Sequence, residues 1–419
     1  MTRKILLVFI LGLLLLSACA SEGTETSTSV PTLDPTEALA EPVEVGSGEF
    51  MPCATVFDYS VSAETAQYQA AADQQPPVTE EDWIYGDPDA PITIIEYADF
   101  QCPACVGFSL GVKELINEFP GSIRVVFRHL PLPSIHPLAF ISAMAAEAAG
   151  AQGMFWEMHD LLYQNQQQWN TFSEEDFIDW ALSQAEALEL DLDQFTEDIN
   201  NKELRAEIEA VNQERLDAGM HYTPFVVIND RVWRENNPNL YGLIGIYHFG
   251  GFEACPPWVI EEGQTYMASL DTSAGQIDIK LFADVAPLAV NSFVFLAQEG
   301  WFDEVYFHRV IEAFVAQAGD PSGLGAVGPG YTFANETVNE LSFDRKGILG
   351  MANAGADTNG SQFFITLAPA TTLDGGYTIF GEVTEDSLPV LDEIAFRDPQ
   401  TSVDFDDATI IFGIEILEE

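Results

Sequence analysis

The six residues Phe100-Gln101-Cys102-Pro103-Ala104-Cys105 constrain this chain more than any other stretch. Upstream, Pro91-Ile92-Thr93-Ile94-Ile95-Glu96-Tyr97 is β-branched and apolar and reads as a buried strand. Downstream, Val106 to Phe119 has helical periodicity, with Phe108, Val112, Leu115 and Ile116 on one side. Two cysteines three apart at the start of that helix share a face, close enough to pair. Pro103 suits the first turn, where its missing N–H costs nothing. The helix N-terminus lowers the pKa of the first thiol, so thiolate forms readily there. A structural disulfide or half of a zinc site are the other readings of such a pair. Zinc needs two further Cys or His at ligand spacing, and none lies nearby. A strand that feeds Cys-x-x-Cys into a helix therefore reads as a redox centre.

At 419 residues, two or three domains are expected. The chain carries 67 acidic against 15 basic residues, a net charge of -52. Phosphate recognition rests on Lys and Arg, so this balance argues against nucleic-acid binding. It implies a hydrated, self-repelling surface that tolerates basic or neutral partner chains better than acidic ones.

At the N-terminus, Arg3 and Lys4 precede an apolar run of 12 residues, Ile5 to Leu16. That is shorter than the ~20 residues of a membrane-spanning helix and has the form of a secretory signal. Leu16-Ser17-Ala18-Cys19 resembles the bacterial lipobox, whose cysteine is lipidated and becomes residue one. The resemblance implies that residues 1–18 are a lipoprotein signal peptide. The mature protein is then extracytoplasmic and anchored to the bacterial membrane through Cys19. Plain secretion with an incidental cysteine is the other reading. From Ala20 to Phe50 there is no basic residue, and Ser, Thr, Pro and Glu dominate. Such a stretch reads as a flexible acidic tether, assigned to residues 19–80, with the folded body beginning near Trp83.

Beyond the motif, Ile123 to His129 reads as a second strand. A helical block follows, with helices at Ala139–Ala149, Phe155–Gln164, Glu174–Gln184 and Glu203–Leu216. Thr223-Pro224 then leads into a short strand, Phe225–Ile228. Glu96-Tyr97-Ala98-Asp99-Phe100-Gln101-Cys102-Pro103-Ala104-Cys105 resembles the active site of DsbA-like thiol-disulfide oxidoreductases. Gln152-Gly153-Met154-Phe155-Trp156-Glu157-Met158-His159-Asp160 resembles their inserted helical subdomain, and Thr223-Pro224 falls where that family places a cis-proline. The resemblance covers residues 81–250 and implies an α/β thioredoxin fold with a helical insertion.

It also implies roles. Cys102 is the attacking thiol, exposed at the helix end, and Cys105 resolves the mixed disulfide. Thr223 and a cis Pro224 would meet the backbone of a client peptide, unless Pro224 is an ordinary strand-start proline. Glu96 is a buried acid that relays protons beneath the cysteines, or else a partly solvated carboxylate. Strongly oxidising members carry a His where this chain has Ala104. A less oxidising pair is expected, and the direction of electron flow stays open.

The five cysteines divide into Cys19, the redox pair, and Cys53 and Cys255. In an oxidising compartment two spare cysteines pair, so a structural Cys53–Cys255 disulfide is expected to clasp the ends of the redox domain. A relay pair passing electrons to Cys102 is the alternative. Residues 231–262, with Asn-Asn-Pro, Gly-Gly and Pro-Pro clusters, read as a connector, with the linker at 251–263.

From Gln264 to the end the pattern changes to short strands, at Tyr266–Leu270, Gln276–Leu281, Val305–Val310, Gly347–Met351 and Phe363–Leu367. A helix at Ala286–Gln298 interrupts them. The glycines between 319 and 330 do not form a phosphate loop, which needs Lys-Ser/Thr and a following helix. Phe307-His308-Arg309-Val310-Ile311, Gln317-Ala318-Gly319-Asp320-Pro321 and Gly350-Met351-Ala352-Asn353-Ala354 resemble a cyclophilin. So do Asn359-Gly360-Ser361-Gln362-Phe363-Phe364, Leu373-Asp374-Gly375 and Phe380-Gly381.

That resemblance implies an all-β closed eight-stranded barrel with flanking helices and peptidyl-prolyl cis-trans isomerase (rotamase) activity. Arg309 would act on the prolyl nitrogen, and Phe314, Val315, Phe364 and Leu373 would form the proline pocket. Gln317, Asn353 and Gln362 would hold the peptide backbone, with Ala352 and Tyr377 at the substrate site. His308 reads as structural. Thr372 stands where many cyclophilins have Trp and Tyr377 where some have His, which bears on cyclosporin affinity more than on catalysis.

The sequence thus reads as a multidomain, membrane-anchored foldase needing neither cofactor nor metal. Its expected partners are unfolded exported proteins and a redox partner. The alternative is a dedicated thiol reductase or electron donor, with the barrel as a peptide-binding module.

Overall fold

The structure, a computed structural model, describes residues 45–46, 48–56, 63–233, 240–337, 341–398 and 405–418. The expected signal peptide, Cys19 and the first part of the expected tether lie outside these. The chain divides into two compact units. Of the described residues, those within 55–253 and 327–330 form one, and those within 45–54, 254–326 and 331–418 the other.

Ala54–Thr55 (β1) leads into the first unit, where the helix Ala63–Ala72 (α1) follows. The sheet there comprises Trp83–Gly86 (β2), Ile92–Ala98 (β3), Ile123–His129 (β4), Phe225–Ile228 (β5) and Arg231–Trp233 (β6). Its order is β2-β4-β3-β5-β6, with β3 parallel to β4 and antiparallel to β5. β3 is central, which is why its sequence is apolar on both faces. Ile92 and Ile94 pack with Val112 and Leu115 of helix Pro103–Glu118 (α2), while Tyr97 packs with Ala71 of α1. Strand alternation puts Glu96 on the α2 face with Ile94.

Between β4 and β5 lie Ala139–Gly150 (α3), Phe155–Gln164 (α4), Gln166–Trp169 (α5), Glu174–Ala187 (α6), Leu192–Ile199 (α7) and Lys202–Ala218 (α8). The small side chains Ala145, Ala146, Ala148 and Ala149 of α3 let neighbours close around it, with Phe155, Trp169, Phe177 and Phe195 filling the space. Local signals set the ends. Ser173 caps α6 ahead of Glu174, Glu175 and Asp176, and Asn201 caps α8, which ends on Gly219 at φ 110°.

The second unit holds Tyr266–Thr272 (β7), Ile277–Leu281 (β8), Pro287–Gln298 (α10), Val305–Tyr306 (β9) and Arg309–Val310 (β10). Val315–Ala318 (β11), Tyr331–Thr332 (β12), Ile348–Met351 (β13), Phe363–Thr366 (β14), Ile379–Val383 (β15) and Ile410–Glu418 (β16) follow. Nine of these strands form one sheet in the order β10-β11-β14-β13-β15-β8-β7-β16-β9. The expected closed eight-stranded barrel is therefore corrected to a nine-stranded half-barrel, whose end strands β10 and β9 are not paired with each other. Val305–Val310 is not one strand either. It breaks at Phe307-His308, so β9 and β10 sit at opposite ends of the sheet, two residues apart in the chain.

The boundaries also change. The stretch 63–80, assigned to the tether, contains α1, whose Ala71 is buried beside Tyr97, Met220 and Phe225. The expected connector is folded: β6 pairs with β5, and Leu240–His248 (α9) buries Leu243, Ile244 and Ile246 against the α2 face. Much of the expected linker is fixed to α10. Asn291 Oδ1 accepts the Val259 N–H at 2.8 Å, and its Nδ2 donates to Pro257 O at 2.9 Å. Met51 N–H donates to Pro256 O at 2.9 Å, and Cys53 is bonded to Cys255 across a separation of 202 residues. The first unit is thus inserted between two segments of the second that are covalently joined. Non-reducing peptide mapping is expected to recover Cys53 and Cys255 in one cross-linked pair; free thiols at both positions would refute it.

Candidate active sites

Cys102 is the N-cap of α2, with Pro103 at the first helical position. It is 6% exposed and Cys105 is fully buried, so the attacking thiol is not the exposed group the sequence led one to expect. The helical insertion covers it. Gln166, on α5, donates to Phe100 O at 2.8 Å and Cys102 O at 3.0 Å, satisfying carbonyls that burial would strand. Gln101 donates to Asn170 O at 2.7 Å and accepts the Leu138 N–H at 2.7 Å. The Thr223-Pro224 bond is cis, and Cys102 Sγ lies 3.3 Å from Thr223 O. Cys102, Cys105, Thr223 and Pro224 are therefore brought together.

The two thiols diverge electrostatically. Hydrogen bonding from Cys105 pulls Cys102 down to about 6 against its burial, helped by Thr223 and by the N–H groups of Cys105 and Ala104. Burial pushes Cys105 well above its ordinary value. Burial and the Cys102 charge raise Glu96 to about 8, and its Oε1 has no hydrogen-bond partner. Beside it is a cavity of about 10 Å³, room for one water, bordered also by Ser109, Lys113 and His159.

The sequence reasoning missed Gln166, Asp99 and His136. Asp99 Oδ2 accepts from the Leu132 N–H at 2.9 Å and pairs with His136 Nδ1 at 2.7 Å. An acid adjoining the motif, and a His in the Pro-rich loop after β4, were the available signals.

In the second unit, β10 sets Arg309 opposite Gln317 of β11, and β11 sets Gln317 opposite Phe364 of β14. Gln317 Nε2 donates to Gln362 Oε1 at 3.0 Å. The Arg309 guanidinium carbon lies 5.8 Å from the centre of the Phe314 ring. Phe314, Ala352, Leu373 and Tyr377, partly buried, pack on a buried cluster of Val315, Phe343, Phe364 and Ile379. Ala352 N–H donates to Gln362 O at 2.9 Å, and Asn353 Nδ2 to Gly376 O at 3.1 Å. All ten residues expected at this site share one region of the sheet.

His308 is buried, burial lowers its pKa, and neither ring nitrogen has a hydrogen-bond partner. The glycine-dense stretch wraps the carboxylate of Asp320, which accepts from Ser322 N–H, Ser322 Oγ and Ala326 N–H. Gly319 has φ +95°, and a Cβ there would lie 2.3 Å from Ser361 O, so only glycine fits. Asn335 was also missed; it donates to Gly376 O at 3.2 Å and accepts from Asn359 Nδ2 at 2.9 Å.

These two sites define a protein with a thioredoxin-like domain followed by a cyclophilin domain. A family model for cyclophilin-type peptidyl-prolyl cis-trans isomerases matches residues 267–414, and one for thioredoxin matches residues 78–240. The chain belongs to the cyclophilin-type peptidyl-prolyl cis-trans isomerases. A peptidyl-prolyl cis-trans isomerase B of Streptomyces anulatus is 44% identical over 161 residues, covering 34% of this chain and 92% of that protein. A peptidyl-prolyl cis-trans isomerase of Helicobacter pylori is 43% identical over 146 residues, covering 35% of this chain and 90% of that protein. A peptidyl-prolyl cis-trans isomerase-like 1 of Rhizopus delemar is 52% identical over 119 residues, covering 28% and 72%.

Two predictions follow from the thiols and the buried acid. Alkylation of reduced protein by iodoacetamide should be half-maximal near pH 6 for Cys102, with Cys105 unreactive there; a midpoint near 8.5 would refute the lowered pKa. Glu96 is protonated in the folded protein up to about pH 8 but ionises at about 4.5 when unfolded. Its burial therefore lowers stability by about 1.4 kcal/mol per pH unit between those values. Glu96→Gln should stabilise the protein increasingly from pH 5 to 8 in denaturant titrations; a constant difference would show that Glu96 does not titrate this way.

Proposed function

We propose that this chain is a membrane-anchored, extracytoplasmic foldase combining thiol-disulfide exchange at Cys102/Cys105 with prolyl isomerisation at the Arg309 site. The observation that carries the redox half is the divergence of the two thiols beside Thr223-Pro224. The Cys102 thiolate attacks one sulfur of a client disulfide, forming a mixed disulfide and releasing the other client sulfur as thiolate. Cys105 loses its proton to water, directly or relayed by Glu96 once that carboxyl has itself released its proton, and attacks Cys102 Sγ. The second client thiolate leaves, two electrons having passed to the client. Run backwards, the same steps oxidise a client dithiol, and the reduction potential decides the direction.

At the other site, amide resonance gives an X-Pro bond a barrier of ~20 kcal/mol and isomerisation times of tens of seconds or more. A guanidinium donating to the prolyl nitrogen favours the twisted, pyramidal geometry in which resonance is lost. Arg309 serves this role, with the Phe314–Leu373 surface taking the proline ring and Gln317, Asn353 and Gln362 the peptide backbone. Anchoring through Cys19 rests on Leu16-Ser17-Ala18-Cys19, and the Cys53–Cys255 bond fits an oxidising compartment. Both activities address slow steps in the folding of exported chains.

Two measurements test the proposal. Cys105→Ser should leave Cys102 joined to client proteins as mixed disulfides in cells, and a lack of adducts would remove the redox half. Arg309→Ala should lower kcat/KM on a proline peptide by about 10²–10³-fold with Cys102 reactivity unchanged; undiminished turnover would exclude Arg309.

A further inference from the structure

The turn after β3 carries a second ionisable pair that the exchange steps do not use. Asp99 is buried and held from several directions. Its Oδ1 accepts the Gln101 N–H at 2.8 Å, and its Oδ2 accepts the Leu132 N–H at 2.9 Å and meets His136 Nδ1 at 2.7 Å. Its main-chain oxygen accepts the Cys102 N–H at 3.0 Å. One residue thus holds both the backbone of the attacking cysteine and an imidazole.

The loop bearing His136 cannot drift from the motif. Leu138 N–H donates to Gln101 Oε1 at 2.7 Å, and His136 N–H donates to Leu132 O at 2.9 Å. The hydrogen bond to Asp99 raises the His136 pKa against its burial, and the Asp99 and Cys102 charges add to the rise. Cys105 is the ionisable side chain that lowers the Cys102 pKa, and the Cys102 charge in turn acts on Glu96, Cys105, Tyr163 and His136. Asp99, three residues before Cys102, would by itself oppose a thiolate. Ala104 offers no side-chain donor between the cysteines. Protonated, the His136 ring held on Asp99 supplies the missing compensation.

We infer that His136, fixed by Asp99, is a positioning residue whose positive charge stabilises the Cys102 thiolate and so sets the reduction potential of the Cys102–Cys105 pair. This rests on the exchange reading. In the reduced pair Cys102 is thiolate and Cys105 thiol. Forming their disulfide gives up two electrons and one proton, the electrons passing to an oxidant such as glutathione disulfide. The charge facing His136 disappears in that step. Linkage then requires that His136 bind its proton more tightly in the reduced protein than in the oxidised one.

The experiment is an NMR titration of the His136 ring protons in both redox states of the full chain, with redox equilibria against glutathione. The His136 pKa should be higher in the reduced state. His136→Gln should raise the Cys102 pKa and shift the glutathione equilibrium about tenfold toward the protein disulfide, about 30 mV. His136→Lys, which keeps a cation on Asp99, should restore both. Equal His136 pKa values in the two states, or an unchanged Cys102 pKa in His136→Gln, overturn the inference while leaving exchange intact. A Cys102–Cys105 pair that does not equilibrate with glutathione at all overturns the exchange reading and this inference together.

Discussion

A buried turn must find a partner for each peptide group that it takes out of water. The segment Asp99–Cys105 meets that constraint by reaching into the helical insertion and the loop after β4. Gln166 satisfies the Phe100 and Cys102 carbonyls, Gln101 bridges Asn170 and Leu138, and Asp99 gathers Leu132 and His136. The insertion therefore does more than enlarge the domain. Cys102, 6% exposed, is held in its charged form by Cys105, Thr223 and the N–H groups of Cys105 and Ala104, while the insertion satisfies the carbonyls that its burial would strand.

Glu96 is the counterpart of that arrangement. It lies on the same strand as the motif and under the same helix, but its Oε1 has no partner and burial holds its proton on until about pH 8. A carboxyl kept neutral in a sheet centre destabilises the fold whenever the unfolded chain would ionise it. Strain of this kind concentrates at functional positions.

The architecture was legible wherever periodicity was strong. Strands β3, β4 and β5 and helices α2, α3, α4, α6 and α8 follow from the spacing of their apolar residues. What stayed hidden is instructive. α1 carries mostly Ala and Gln, and only contact with Tyr97 and Phe225 makes Ala71 a core residue. Residues 254–260 are Pro-rich and irregular, and become structured because Asn291 of α10 supplies their hydrogen bonds. The break at Phe307-His308 has no turn residue to announce it. Its cause is the sheet, which needs Val305–Tyr306 at one end and Arg309–Val310 at the other. Gln166 and His136 were unreadable for a related reason, since their partners lie 64 and 37 residues away.

The same logic governs charge. In a chain with 67 acids and 15 bases, an exposed guanidinium is readily captured by a carboxylate. Among the described residues, Arg309 has Gln317 across the strand pair, the Phe314 ring beside it, and Gln362 bonded to Gln317. The redox site solves the opposite problem. There two acids, Glu96 and Asp99, stand near a thiol whose pKa is lowered, and each is offset separately, one by keeping its proton and the other by its ring of donors. An acidic surface and two charge-dependent sites can coexist because each site screens its own reacting atom with short-range hydrogen bonds. Such bonds act over a few ångströms, where the field of distant, solvated carboxylates is largely screened.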